Sequence, residues 1–158
     1  MITYVQGDAA RPDVSAPGEH IIAHVVNDQG GWGRGFTRSL SQRYPRAERS
    51  YREWVHKPTF SLGRTLITRI SREPSLMVAH LLAQHGYMGL LNPQPLSYDA
   101  LVDALEGLER YCLLQQAPLT IHMPRIGCGL AGGEWSHVEV IVSGILLDVP
   151  VIVYDLPV

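Results

Sequence analysis

Twice along this chain an apolar run delivers a glycine-rich loop to the start of a helical pattern. The more distinctive case follows the run Leu119 to Met123 and reads Pro124-Arg125-Ile126-Gly127-Cys128-Gly129-Leu130-Ala131-Gly132-Gly133-Glu134-Trp135. Four glycines fall within seven residues there. Glycine lets the main chain approach an anion closely and adopt positive φ, and a helix start adds unpaired N–H groups and a positive dipole end. Phosphate binding is the chemistry such a loop suits; a plain Gly-rich turn is the competing reading. The spacing matches neither the dinucleotide fingerprint nor a Walker A loop, and no Lys follows the glycines.

The earlier case shifts the balance. His20 to Val26 reads as a near-continuous apolar strand, covered on both faces, and runs into Asn27-Asp28-Gln29-Gly30-Gly31-Trp32-Gly33-Arg34-Gly35-Phe36. Helical spacing resumes at Phe36, Leu40 and Tyr44. Two such loops in one small α/β domain cradle two phosphates, or the two halves of a pyrophosphate. Trp32 either walls the pocket or packs its ring on the adjacent helix.

Other polar residues stand at strand ends. Asp8 lies just beyond the short strand Ile2 to Val5, placed to accept a hydrogen bond from a ligand amine or to close a local turn. Gln84-His85 ends the strand Leu76 to Ala83, where open α/β sheets commonly display reactive groups. His85 is a candidate general base, since an imidazole titrates near pH 6.5 in ordinary surroundings; a structural role is the alternative. Cys112 and Cys128 are too far apart and too few for a disulfide framework or a zinc site. No metal ligand set and no cofactor is expected.

The elements that must position these groups follow from periodicity. Pro45 suits the first turn of a second helix, with Tyr51, Trp54 and Val55 on its apolar side. Arg64 to Ile70 alternates as a half-buried strand, and Glu73-Pro74 turns it back. Ser97 reads as the N-cap of a helix carrying Leu101, Leu105, Leu108 and Cys112. A helix opens near Glu134-Trp135, and Val149 to Tyr154 forms a final strand. The order β, β, α, α, β, β, α, β, α, β implies a mixed sheet with helices on both faces.

With 158 residues, 46% of them hydrophobic and 18% charged, the chain reads as one domain spanning 1–158. A net charge of −2 disfavours a broad duplex nucleic-acid footprint. Arg43, Arg46, Arg49 and Arg52 read as a solvated helix face. No signal peptide and no bilayer-length apolar run is visible, so a cytoplasmic location is expected, without membrane contact.

Three segments, Thr3-Tyr4-Val5-Gln6-Gly7-Asp8, His24-Val25-Val26-Asn27 with its loop, and Pro124-Arg125-Ile126-Gly127-Cys128-Gly129-Leu130, together resemble the macrodomain family. They look most like its branch of terminal ADP-ribose–protein glycohydrolases, related to the chromatin-remodeller macrodomain and to bacterial DNA ADP-ribosyl hydrolases. The resemblance implies a three-layer α/β/α macrodomain with a mixed central sheet and an ADP-ribose cleft at the strand ends. It implies that Asp8 accepts the adenine amine hydrogen. Gly31, Trp32, Gly33, Arg34 and Gly35, with Asn27 at their base, match the first phosphate and distal-ribose loop. Gly127, Cys128, Gly129, Leu130, Ala131 and Gly132 match the second.

Two departures bear on chemistry. The branch places a sugar-attacking Lys after its fourth strand and an Asp in the second loop; here those positions read Gln84 and Ala131. A lysine adduct is therefore not available at that place. The expected activity is hydrolysis of ADP-ribosyl esters on glutamate or aspartate of mono-ADP-ribosylated protein, with Gln84, Asn27 and His85 as candidates for orienting water or moving its proton. A non-catalytic ADP-ribose-binding module and a DNA ADP-ribosyl hydrolase are the alternatives, the latter disfavoured by charge.

Overall fold

The computed structural model describes all 158 residues, Met1–Val158. The elements follow the expected order: β1 Ile2–Gln6, β2 Glu19–Asn27, α1 Phe36–Arg43, α2 Pro45–Trp54, β3 Thr65–Arg72, β4 Ser75–Gln84, α3 Tyr98–Leu113, β5 Leu119–Met123, α4 Trp135–Ile145 and β6 Val151–Asp155. The six strands lie in the order β1-β6-β5-β2-β4-β3. Every neighbouring pair is parallel except β3 with β4, which the short Glu73-Pro74 turn makes antiparallel. The result is a three-layer α/β/α macrodomain-type fold around a mixed six-stranded sheet.

Strand parity explains why β2 and β4 read as continuous apolar runs. Ile21 and Ala23 of β2, with Met77, Ala79 and Leu81 of β4, pack under α3 and α4 in the larger core. Ile22 and Val78 point the other way and meet Leu40 of α1 and Ala47 of α2. Val26 and Leu82 lie beneath Tyr51 and Trp54 of α2. Both faces are covered, so period-2 alternation vanishes from the sequence. The helix signals also hold: Ser97 Oγ accepts the Ala100 N–H at 3.1 Å, and Pro45 opens α2, where its missing N–H costs nothing.

The face under α1 and α2 carries four buried histidines, His20, His24, His80 and His122. They hydrogen-bond to one another in pairs. His20 Nε2 donates to the Ala16 carbonyl at 2.8 Å, leaving Nδ1 to accept from His122 Nε2 at 2.9 Å. His122 Nδ1 then accepts the Tyr154 phenol hydrogen at 2.8 Å, and the phenol oxygen accepts the Asp13 N–H at 3.1 Å. His24 Nε2 meets His80 Nδ1 at 2.8 Å. These pairings suit neutral rings. Burial pushes His24 down to about 3. Burial, reinforced by His20, pushes His122 down to about 4. Burial and then His24 hold His80 well below the usual imidazole range. No helix is long and apolar enough to cross a membrane.

Candidate functional site

The C-terminal ends of β2, β4 and β5 fall on one edge of the sheet, and a cleft of ≈ 850 Å³ opens there between the two glycine loops.

Asn27 sets the first wall. Its Oδ1 accepts the N–H groups of Gln29 at 3.0 Å and Gly31 at 2.9 Å. The buried Tyr51 hydroxyl donates to the Asn27 carbonyl at 2.6 Å and lies 3.2 Å from Oδ1. Burial, with Tyr87 nearby, raises the Tyr51 phenol well above its ordinary value, so it stays a donor. With Oδ1 occupied, Nδ2 is the amide pole left to the cleft. Gly31 is required where it stands: a Cβ there would overlap the Tyr87 hydroxyl and lie 2.6 Å from Asn27 Nδ2.

Beyond Asn27 the chain reaches α1 through Trp32, Arg34 and Gly35. The main-chain N–H groups of Arg34, Gly35, Phe36 and Thr37 have no acceptor within the protein. The first turn of α1 carries no acidic residue, and Gly35 adopts φ 59°. This end is electropositive.

The second wall turns through Gly127, whose φ is 72° and whose Cβ would press to 2.8 Å from Leu96. Gly132 and Gly133 return their N–H groups to the loop, to the carbonyls of Gly129 at 3.1 Å and Gly127 at 2.8 Å. The N–H groups of Gly129, Leu130 and Ala131 remain without an acceptor. Successive free N–H groups in one turn form an anion-binding concavity. The helical contribution differs from expectation on this side. The lining stops at Ala131, and Gly132 to Glu134 is a linker, so the start of α4 does not face the cleft.

Gln84 is the register partner of Asn27 across β2 and β4, just past an irregularity between Val26 and Asn27. Its Nε2 donates to the Gly86 carbonyl at 3.1 Å, so Oε1 is the pole left free. Arg34 and Arg125 line the cleft and no carboxylate does. Arg125 is fixed by two bonds to Asp155, 2.7 and 2.9 Å, and lies over the rings of Tyr4 and Trp135 at 5.4 and 5.5 Å.

The structure gathers Asn27, Gly31, Trp32, Arg34, Gly35, Gln84, Gly127, Gly129, Leu130 and Ala131 around this one cleft. Trp32 lines the cleft and also packs against the cluster of Leu40 and Ala47, its ring 5.4 Å from that of Tyr51 and tilted by 37°. Gly33, Cys128 and Gly132 sit in the loops but do not line the cleft. Cys128 turns its thiol to the Ile126 carbonyl, and burial raises it above the ordinary range. Asp8 stands outside the lining as well; its Oδ1 accepts the Ala10 N–H at 2.9 Å.

His85, the candidate general base, is not among the residues that line the cleft. Its side chain is 70% exposed and its Nδ1 lies 2.6 Å from Asp28 Oδ2. Asp28 also accepts the Gly86 N–H at 2.9 Å. Its burial opposes ionisation, yet these bonds prevail and hold the carboxyl below its usual value. The pair ties the loop after β2 to the loop after β4. Sequence reasoning missed Tyr87 and Met88, which line the cleft from that second loop, and the supporting Tyr51. No group of three or more His, Cys, Asp or Glu side chains is placed to hold a metal ion.

No family model matches the chain. A macrodomain protein from Streptomyces coelicolor, known as a solved structure, is 39% identical and superposes with a TM-score of 0.82 over 98% of this chain and 99% of that one. The chain belongs to the macrodomain family. Two curated relatives of this macrodomain carry names of activities. The ADP-ribose 1''-phosphate phosphatase of Candida albicans is 25% identical, over 88% of this chain and 90% of that protein. The ADP-ribose glycohydrolase OARD1 of Homo sapiens is 24% identical, over 98% of this chain and 91% of that protein. These identities are near-equal and the named reactions differ, so they do not single out the glycohydrolase branch for this macrodomain.

Proposed function

We propose that this macrodomain binds ADP-ribose across the cleft and hydrolyses ADP-ribosyl esters from glutamate and aspartate side chains of modified proteins, without a lysine nucleophile. The observation that carries the reading is the pair of opposed main-chain donor sets, at residues 34–37 and 129–131, in a cleft lined by two arginines and no carboxylate. A pyrophosphate presents one phosphoryl group to each set. Asp8, beyond β1 on the same edge, takes the adenine amine through Oδ2, the carboxylate oxygen left free by the Ala10 bond. The hydrolytic part draws support from the two curated relatives, both named for reactions that cleave a bond in an ADP-ribose compound.

Asn27 Nδ2 and Gln84 Oε1 then act as a donor and an acceptor side by side at the distal ribose. Together they orient a water, or the ribose hydroxyl beside it, against the anomeric carbon. The water oxygen forms the new bond to C1'', the bond from C1'' to the ester oxygen breaks, and the carboxylate leaves with the electron pair. The water proton passes to solvent or to a ligand phosphate oxygen. A carboxylate is a good leaving group, so positioning and electrostatic stabilisation suffice for slow turnover.

A second reading has a specific observation behind it. The phosphatase relative makes ADP-ribose 1''-phosphate an alternative substrate for the same cleft. One time-course on purified protein separates the readings, comparing Glu-linked ADP-ribosyl protein with ADP-ribose 1''-phosphate. Release of ADP-ribose from the protein alone supports the proposal, and release of phosphate alone replaces it. Tight ADP-ribose binding with neither product leaves a binding module.

A further inference from the structure

Between Gly86 and Leu96 the chain forms a small projecting finger. Gly89 and Asn92 exchange both main-chain hydrogen bonds at 3.0 Å, so Leu90 and Leu91 occupy the two turn positions at the tip. They are 99% and 97% exposed. Turn tips are normally Gly, Asn, Asp, Ser or Pro, each for a conformational reason. Two leucines bring none of those advantages and put two large apolar side chains in water. Local rules broken this way, without a packing gain, mark a functional position.

The finger is well braced. Asn92 Nδ2 donates to the carbonyls of His85 at 2.9 Å and Tyr87 at 3.0 Å. Its base is tied to the first glycine loop through Asp28 and to the second through the Leu96 N–H, which donates to the Ala131 carbonyl at 2.9 Å. Tyr87 and Met88 on its stem line the cleft. A group held between the two loops therefore stands at a defined distance from the leucine tip.

We infer that the Leu90-Leu91 tip docks an apolar side chain of the polypeptide that carries the modified residue, making the finger a specificity element for protein substrates. The inference rests on the proposed function, which puts the distal ribose, and hence the attached protein, beside Asn27 and Gln84 at the root of the finger. Residues 86–96 contain no charged side chain. Nucleic-acid affinity comes from cations on phosphates and from bases stacked on flat aromatic or guanidinium groups. Two aliphatic side chains fit an apolar patch of protein instead.

The test uses two synthetic peptides with a hydrolysis-resistant ADP-ribosyl linkage, one flanked by leucine and phenylalanine, the other by glycine and serine. Calorimetry on the wild-type chain should find the apolar peptide bound about tenfold more tightly, the scale of burying part of one aliphatic side chain. The double variant Leu90→Ser, Leu91→Ser should bind both peptides alike and keep the wild-type affinity for free ADP-ribose. Equal wild-type affinity for the two peptides, with ADP-ribose binding intact, overturns the inference alone. Absence of ADP-ribose binding overturns the underlying reading of the cleft. Light scattering that finds wild-type dimers and monomeric double variant, with no peptide preference, assigns the tip to a second copy and also overturns the inference.

Discussion

Asn27 and Gln84 are register partners at the ends of β2 and β4, and each has one amide pole committed inside the protein and the other left toward the cleft. The committed poles are opposite in kind, an oxygen for Asn27 and a nitrogen for Gln84. The free pair is therefore a donor beside an acceptor.

From this follows an expectation for Gln84→Ala. Removing Oε1 should lower kcat on an ADP-ribosyl ester by about tenfold or more, while the Kd for ADP-ribose changes little, because orientation of the attacking water matters only on the way to the transition state. Single-turnover kinetics and calorimetry read the two quantities separately. A large loss of affinity with unchanged kcat would assign Gln84 to binding. Borohydride trapping of a sugar on any lysine would overturn the non-covalent mechanism.

Tyr51→Phe probes the support behind Asn27. The variant strips a fully buried 2.6 Å hydrogen bond from the Asn27 carbonyl. Stability should fall by about 1–3 kcal/mol. Affinity for ADP-ribose should weaken several-fold as the amide loses its fixed orientation. Urea denaturation and calorimetry on the same preparation test both parts.

Gly129→Val should separate folding from binding. A Cβ at Gly129 meets no atom within 4 Å, and the residue does not need positive φ. The variant should melt like the wild type, yet its side chain enters the space facing the free N–H groups of the second loop. Loss of ADP-ribose binding at unchanged circular dichroism is the expected result; wild-type affinity would remove the loop from the binding site.

Asp8→Asn keeps the oxygen that accepts the Ala10 N–H but replaces the charged acceptor proposed for adenine. Hydrogen bonds to charged groups are worth about 1.5–3 kcal/mol, so affinity for ADP-ribose should drop roughly tenfold or more. Affinity for ribose 5-phosphate, which has no adenine, should not change. An equal drop for both ligands would place the effect in the local turn.

The buried histidines set the pH response of stability. Folding holds His24 down at about 3 and His122 down at about 4, both below the unfolded imidazole value near 6.5. Between those limits the unfolded chain binds more protons than the folded one. Stability is thus fully present above about pH 6.5 and falls as pH drops toward 4. Thermal melts at pH 7.5 and pH 5 should show a clearly lower midpoint in acid, and a flat profile would contradict the neutral pairings.

Much of the scaffold was legible because local chemistry and tertiary structure agree. Ser97 and Pro45 mark helix starts by rules that hold in any fold, and the doubly covered β2 shows in its unbroken apolar run. The glycine loops were legible for the same reason, since backbone demands are written residue by residue. Side-chain commitments were not. Whether His85 faces the cleft depends on Asp28, fifty-seven positions earlier in the chain. Tyr51 registers in sequence only as part of an apolar helix face; nothing local reveals that its hydroxyl reaches Asn27. Tyr87 and Met88 carry no local signal beyond the strand-end pair Gln84-His85 that precedes them, and the cleft acquires them only when β4 is placed beside β2.

Helix α1 begins at Gly35 with no side chain of its own to close its first turn. In most helices a serine, threonine, asparagine or aspartate completes that turn permanently. Here the completing anion is left to come from outside, so secondary structure and ligand occupancy become thermodynamically linked. A phosphate seated on residues 34–37 would slow amide hydrogen exchange throughout the first turn of α1 and raise the melting temperature with ligand concentration. Each departure of product would withdraw that anion from the first turn, making α1 a reporter of occupancy as well as a wall of the cleft.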